Sequence, residues 1–255
     1  QSLSVFALSL IIKTLRRWKI FMIKKTKEKV QGELIYGLHP LIEVLKAKKR
    51  KVISIYTTKP TPKGWKDIEA VWPKYPLPIQ YVARDILHRM AGTTEHQGVV
   101  AWVHEFPIRK KFFEPKKHPM LIMLDGLQDP RNVGTILRSA YCTGVDGVIV
   151  TEKNSAPFNA TVFKSSAGLA EYLDIYIAAS AEEAALELKK AGYTLYLASF
   201  AGENAVTCKY TSPLCLVVGG EGFGISKQVY KYGTEITLPQ KTSDISYNVS
   251  VAAGI

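Results

Sequence analysis

From Met120 onward the chain alternates short apolar runs with amphipathic stretches, and that alternation leaves few folds open. Segments 120–124, 145–150, 173–177, 194–199, 214–218 and 235–238 read as strands, and the spacing of apolar residues between them predicts helices near 132–141, 161–167 and 181–191. Strands written as continuous apolar runs are buried on both faces. The pattern therefore predicts an α/β fold with a mostly parallel sheet covered by helices on either side.

A smaller α/β unit precedes it. Leu38, Leu41, Ile42, Val44 and Leu45 recur at helical spacing after Gly37, and β-branched runs at 52–57, 79–82 and 98–103 read as three strands. Between the two units, residues 106–118 are rich in Lys and Pro, including Pro107, Lys110, Lys111, Pro115, Lys116 and Lys117. Such a stretch resists regular structure and reads as an exposed linker. The expected organisation is an N-terminal extension over 1–31, disordered or non-native, a small domain over 32–105, the linker, and a larger domain over 119–255. The apolar stretch 3–12 is shorter than the roughly 20 residues that cross a bilayer. Its charges, Lys13, Arg16, Arg17 and Lys19, follow the apolar run, whereas a secretory signal carries them in front. A start at Met22 would account for the unusual residues before it.

Charge narrows the partner. With 34 Lys plus Arg against 22 acidic residues the chain carries +12 at pH 7, a balance that attracts polyanions. The three cysteines form no Cys-x-x-Cys pair and the five histidines are scattered, so neither a disulfide framework, a zinc site nor a Ser-His-Asp triad is suggested. A reducing compartment fits, and no metal is expected.

Three segments are candidates for chemistry. In 125–140 a strand runs through Asp129-Pro130 into a helix carrying Asn132 and Arg138; Asn132 reads either as a helix cap or as a group addressing a ligand, and Arg138 as a solvated charge or a ribose-phosphate contact. In 216–226, Gly219, Gly220, Gly222 and Gly224 surround Glu221 directly after an apolar strand, where backbone can approach a ligand closely. Gly224 is followed by Ile225-Ser226, so the loop is no P-loop, and it is not the first βα turn of a dinucleotide-binding unit. In 236–254 a strand leads through a polar loop with Ser246 and Asn248, either of which could be an ordinary cap, into small and apolar residues.

In order and spacing, Asn132-x-Gly-x-x-x-Arg138, Gly219-x-Glu-Gly-x-Gly224 (with Gly220 between) and Ser246-x-Asn-Val-Ser-Val-Ala252 resemble the signature motifs of the SpoU (TrmH-type) RNA ribose 2′-O-methyltransferases. Segments 35–40 and 95–101 resemble that family's 23S ribosomal RNA guanosine branch, bracketing a domain similar to small ribosomal RNA-binding proteins. The resemblance implies a deep trefoil knot in the larger domain, S-adenosylmethionine as cofactor, a homodimer, large-subunit ribosomal RNA as partner and the bacterial cytoplasm, or an organellar matrix, as location. It implies catalytic or RNA-site roles for Asn132, Arg138, Glu221, Ser246 and Asn248, and cofactor contacts, chiefly through backbone, at Gly219, Leu238 and Tyr247. Tyr247 stands where the family commonly has leucine, and the family's final helix continues beyond the position of Ile255, so the last helix is expected to be truncated. A transfer-RNA methyltransferase of the same fold and a non-catalytic binder of structured RNA are the alternatives.

Overall fold

The computed structural model describes residues 32–242 and 245–255, and the expected N-terminal extension lies outside the described residues. The front unit is built from β1 (Glu33–Tyr36), α1 (Leu38–Ala47), β2 (Val52–Thr57), α2 (Trp65–Glu69), β3 (Ile79–Tyr81), α3 (Arg84–Ala91) and β4 (Val99–Val103). Its strands lie in the order β1-β4-β2-β3, with β4 antiparallel to both neighbours and β2 parallel to β3. Strand β1 was not predicted. It is four residues long and merges into the glycine turn before α1, so it carries too little alternation to be read; pairing with β4 makes it a strand.

The larger sheet is entirely parallel. It comprises β5 (Met120–Asp125), β6 (Gly147–Thr151), β7 (Ile175–Ala178), β8 (Thr194–Asn204), β9 (Leu214–Gly219) and β10 (Gly233–Thr237), in the order β10-β8-β9-β5-β6-β7. Between the strands lie α4 (Pro130–Thr143), α5 (Ala160–Ser165) and α6 (Ala181–Ala191), and α7 (Val249–Ala252) comes after β10. Both ends of α4 are written locally: the Asp129 side chain accepts from the Arg131 backbone N–H at 2.8 Å, Pro130 opens the first turn, and Gly144 closes the helix at φ 76°. Helix α6 has the predicted bounds because Ser180 caps it, Glu182 and Glu183 oppose its N-terminal partial charge, and Lys189 and Lys190 its C-terminal one.

Successive residues of a strand face opposite sides. Thus Ile122, Leu124, Val148 and Val150 join Val133, Ile136 and Leu137 of α4 and Phe163 of α5 in one core, while Leu121, Met123, Ile149 and Val217 join Ala184, Ala185 and Leu188 of α6 in another. The expected double-sided α/β sheet is what forms.

The first of these cores does not stop at the larger sheet. Ile35, Leu41, Ile55 and Val99 of the front unit belong to the same apolar cluster as Leu137 and Phe163. The segment 106–118 is correspondingly packed, and its reading as an exposed linker is corrected. Phe106 is buried against Phe158 and Phe163, Phe113 is buried over Gly147, and Arg109 donates its backbone N–H to Ile175 O at 2.8 Å and its guanidinium to Asp174 at 3.0 Å. Two buried phenylalanines outweigh the Lys and Pro residues around them.

Arg50 sits where the two units meet. Its guanidinium pairs with Glu171 at 2.5 Å and Glu33 at 2.5 Å, donates to His104 O at 3.1 Å, and lies 4.4 Å from the Phe163 ring centroid. Both Arg50 and Glu171 are buried. Burial pushes the Glu171 carboxyl up, and the hydrogen bonds and charge of Arg50 pull it back down.

Candidate active site

Strand order reverses around β5: the chain moves from β5 to β6 and β7 on one side, and later places β9 and β8 on the other. Loops leaving the carboxyl ends of β5 and β9 diverge there, which in open α/β sheets opens a crevice suited to a ligand. Asp125 ends β5 in register with Gly219 at the end of β9.

The loop after β9 is held hard at its base. Gly224 donates to Gly220 O at 2.9 Å, Gly220 donates to Asp125 O at 2.9 Å, and the buried Asp125 carboxylate accepts from the Ser226 N–H at 2.7 Å and its hydroxyl at 3.1 Å. Sequence reasoning missed this Asp125–Ser226 lock; a carboxylate ending a strand and a serine closing the glycine run were its only traces. Gly219 and Gly220 are needed for close approach. A Cβ on Gly219 would stand 2.1 Å from Gly224 C, and one on Gly220 2.3 Å from Gly126 O. Both neighbours are backbone and cannot swing away, so Gly219→Ala is expected to displace the loop at a cost of about 1–3 kcal/mol. Calorimetric titration with S-adenosylmethionine should show weakened binding in this variant, whereas Gly222→Ala, whose Cβ meets nothing within 4 Å, should bind as the parent does.

Asn132 joins the two other motifs. Its Nδ2 donates to Glu221 Oε1, and its Oδ1 accepts from Asn248 Nδ2 at 3.2 Å. Asn132 is therefore not the cap of α4, which is Asp129. Asn248 does cap α7, its Oδ1 accepting from the Ser250 N–H at 2.9 Å and hydroxyl at 2.6 Å, while its amide turns to Asn132. Residues at 132, 221 and 248 thus form one chain of hydrogen bonds on the exposed carboxyl edge. Glu221 accepts from Asn132 and not from Arg138.

The other candidates stand apart from this trio. Arg138 is six residues beyond Asn132, about 240° around the helix at 100° per residue, and it is exposed, with no hydrogen bond or ion pair among the described residues. Ser246 is exposed; Leu238 is half-buried just after β10; the Tyr247 hydroxyl donates to Pro239 O at 3.3 Å across the same loop. No group of His, Cys, Asp and Glu able to hold a metal occurs among the described residues.

A family model described as the SpoU rRNA Methylase family matches residues 119–255, and one described as RNA 2′-O ribose methyltransferase substrate binding matches residues 34–108. The chain belongs to the SpoU rRNA methylase family. A 23S rRNA (guanosine-2′-O-)-methyltransferase, RlmB, of Vibrio parahaemolyticus is 32% identical over 244 residues, covering 89% of this chain and 95% of that protein. An RNA 2′-O ribose methyltransferase crystal structure superposes with a TM-score of 0.77 at 20% identity, over 90% of this chain and 88% of the other. The SpoU methyltransferase AviRb of Streptomyces viridochromogenes, in complex with AdoMet, does so with a TM-score of 0.69 at 21% identity, over 90% and 89%. These two likenesses establish the fold.

SpoU methylases use S-adenosylmethionine, and the glycine loop after β9 lacks the signature that would mark it for a nucleotide phosphate. Gly219 ends β9 at the carboxyl edge, and no Gly-Lys-Ser/Thr phosphate cradle stands in the loop that follows it.

Proposed function

We propose that this SpoU methylase transfers a methyl group from S-adenosylmethionine to the ribose 2′-hydroxyl of a guanosine in 23S ribosomal RNA. The observation that carries the reading is the Glu221–Asn132–Asn248 network at the carboxyl edge between β5 and β9. The activity named for the Vibrio parahaemolyticus relative supports the guanosine and the ribosomal RNA.

When bound, S-adenosylmethionine supplies an electrophilic methyl group on its sulfonium, and Gly219, Leu238 and Tyr247 are the residues that would hold it. The chain's own task is to fix a hydroxyl and manage its proton. An asparagine amide has two N–H donors. Asn132 spends one on Glu221 and is fixed from the other end by Asn248, which leaves the second N–H to orient the ribose oxygen. Glu221 Oε2 makes no bond to Asn132 and is available to accept the hydroxyl hydrogen. Exposed Arg138 offers its planar fork to an RNA phosphate, and Ser246 shapes the loop around the ribose.

The wider reading takes residues 32–105 as the RNA-binding domain, 106–118 as the connection and 119–255 as the catalytic domain with a trefoil knot. Support for the knot is where the last elements lie: β10 is at the far edge of the sheet, yet α7, which follows it in sequence, packs on α4. Exposed Val251 on α7 supports a homodimer contact. No helix among the described residues is long and apolar enough to cross a membrane, and the bacterial cytoplasm is the place such a substrate implies.

The test is transfer of radiolabel from S-adenosylmethionine to 23S ribosomal RNA fragments. Label on a guanosine 2′-oxygen is the expected result. Label on transfer RNA alone would move the substrate, and tight RNA binding without transfer would leave a non-catalytic binder.

A further inference from the structure

Phe223 is 88% exposed, more than any other large apolar residue among the described ones. It does not belong to a fraying segment. Gly220 and Gly224 pair as an antiparallel bridge, the Asp125–Ser226 bonds lock the chain just past Gly224, and only Glu221, Gly222 and Phe223 form the tip. On that three-residue tip Glu221 is turned to Asn132, while the ring two positions on is held out in water by a loop whose Gly222 and Gly224 touch nothing on their open sides. A loop pinned at its base that holds an aromatic ring out beside a carboxylate offers a flat apolar surface to whatever enters the site.

The surroundings favour RNA over protein as the occupant. Arg131, in the first turn of α4 beside Asn132, and Lys227, beside Ser226, are exposed on the segments that flank the tip, and the chain carries +12 overall. Sequence-specific RNA recognition targets unpaired nucleotides, whose unstacked bases stack on aromatic side chains, and a nucleotide presented singly at the carboxyl edge would bring such a base beside this ring. We propose that Phe223 is a base-stacking residue that receives an unpaired nucleobase of the substrate RNA at the methylation site. This rests on the methyl-transfer reading and adds to it a positioning residue that acts on the base, whereas the Asn132 network acts on the ribose.

The test compares Phe223→Ala, Phe223→Leu and Phe223→Trp with the parent, using a 23S ribosomal RNA transcript. Stacking on an aromatic is worth enough that Phe223→Ala and Phe223→Leu should lower kcat/KM for the transcript about tenfold or more, mainly through KM, while Phe223→Trp keeps it within about twofold. Affinity for S-adenosylmethionine and the sedimentation coefficient should not change. The indole fluorescence that Phe223→Trp adds, measured against Phe223→Ala as background, should be quenched by the transcript. Leucine serving as well as phenylalanine would overturn the proposal, because an apolar contact would then suffice. So would a changed sedimentation coefficient in Phe223→Ala with KM unaltered, which would mean that a second protein chain covers the ring. Should the parent place no methyl on a 2′-oxygen, the functional reading fails, and the fluorescence arm still decides by itself whether the ring meets a base.

Discussion

Asn132→Ala is expected to lower the methyl-transfer rate by about 10²–10³-fold, the range for losing one preorganised donor at a reacting oxygen, while S-adenosylmethionine still binds. The variant removes the N–H proposed to meet the ribose and both hydrogen bonds that tie Glu221 and Asn248 together across the edge. Helix α4 should survive, since its cap is Asp129 and alanine is a better helix former than asparagine. Single-turnover transfer with saturating RNA, run beside calorimetric titration of the cofactor, separates the two effects. Full turnover in the variant would show that the network is only a structural tie between the loops.

Arg50→Ala should destabilise the protein by about 3–5 kcal/mol, the usual cost of leaving one member of a buried ion pair alone. Glu171 would lose its bonds to Nε and Nη2, whereas Glu33 is partly exposed and can turn to water. The loss should depend on pH. Burial already raises the Glu171 carboxyl above its ordinary 4.5, and removing Arg50 removes the largest opposing effect. A carboxyl whose value is raised by folding gives stability that is fully present below its unfolded value and is lost as pH rises through the folded one. The gap in Tm between Arg50→Ala and the parent should therefore narrow as pH is taken from 7 towards 5. A second variant, Arg50→Met with Glu171→Leu, removes both charges and should recover much of the stability. A pH-independent gap would mean that Glu171 finds another partner or water when Arg50 is gone.

This pair also separates what was readable along the chain from what was not. Helix α6 was legible to the residue because its cap, its acidic first turn and its basic last turn are all local. The parallel sheet was legible because a strand buried on two faces must be apolar throughout. Strand β1 escaped, being four residues whose identity comes from the edge of β4. The segment 106–118 misled because charge dominates its composition, while its position is set by Phe106 and Phe113. At the site, the candidate residues and the glycine loop could be named from spacing and family resemblance, but whether Asn132 caps a helix or addresses a ligand could not, since both uses look alike in sequence.

Order along the chain therefore carried the fold class, the element types and the chemistry of the glycine loop, because caps, turns and hydrophobic period act over a few residues. Only the folded chain decided that Asn132 lies between Glu221 and Asn248, that Asp125 locks Ser226, that Phe223 faces solvent and that Arg50 is shared by Glu33 and Glu171. Those partners stand up to 121 residues apart, and they are joined by the packing of strands and cores, which no local pattern records.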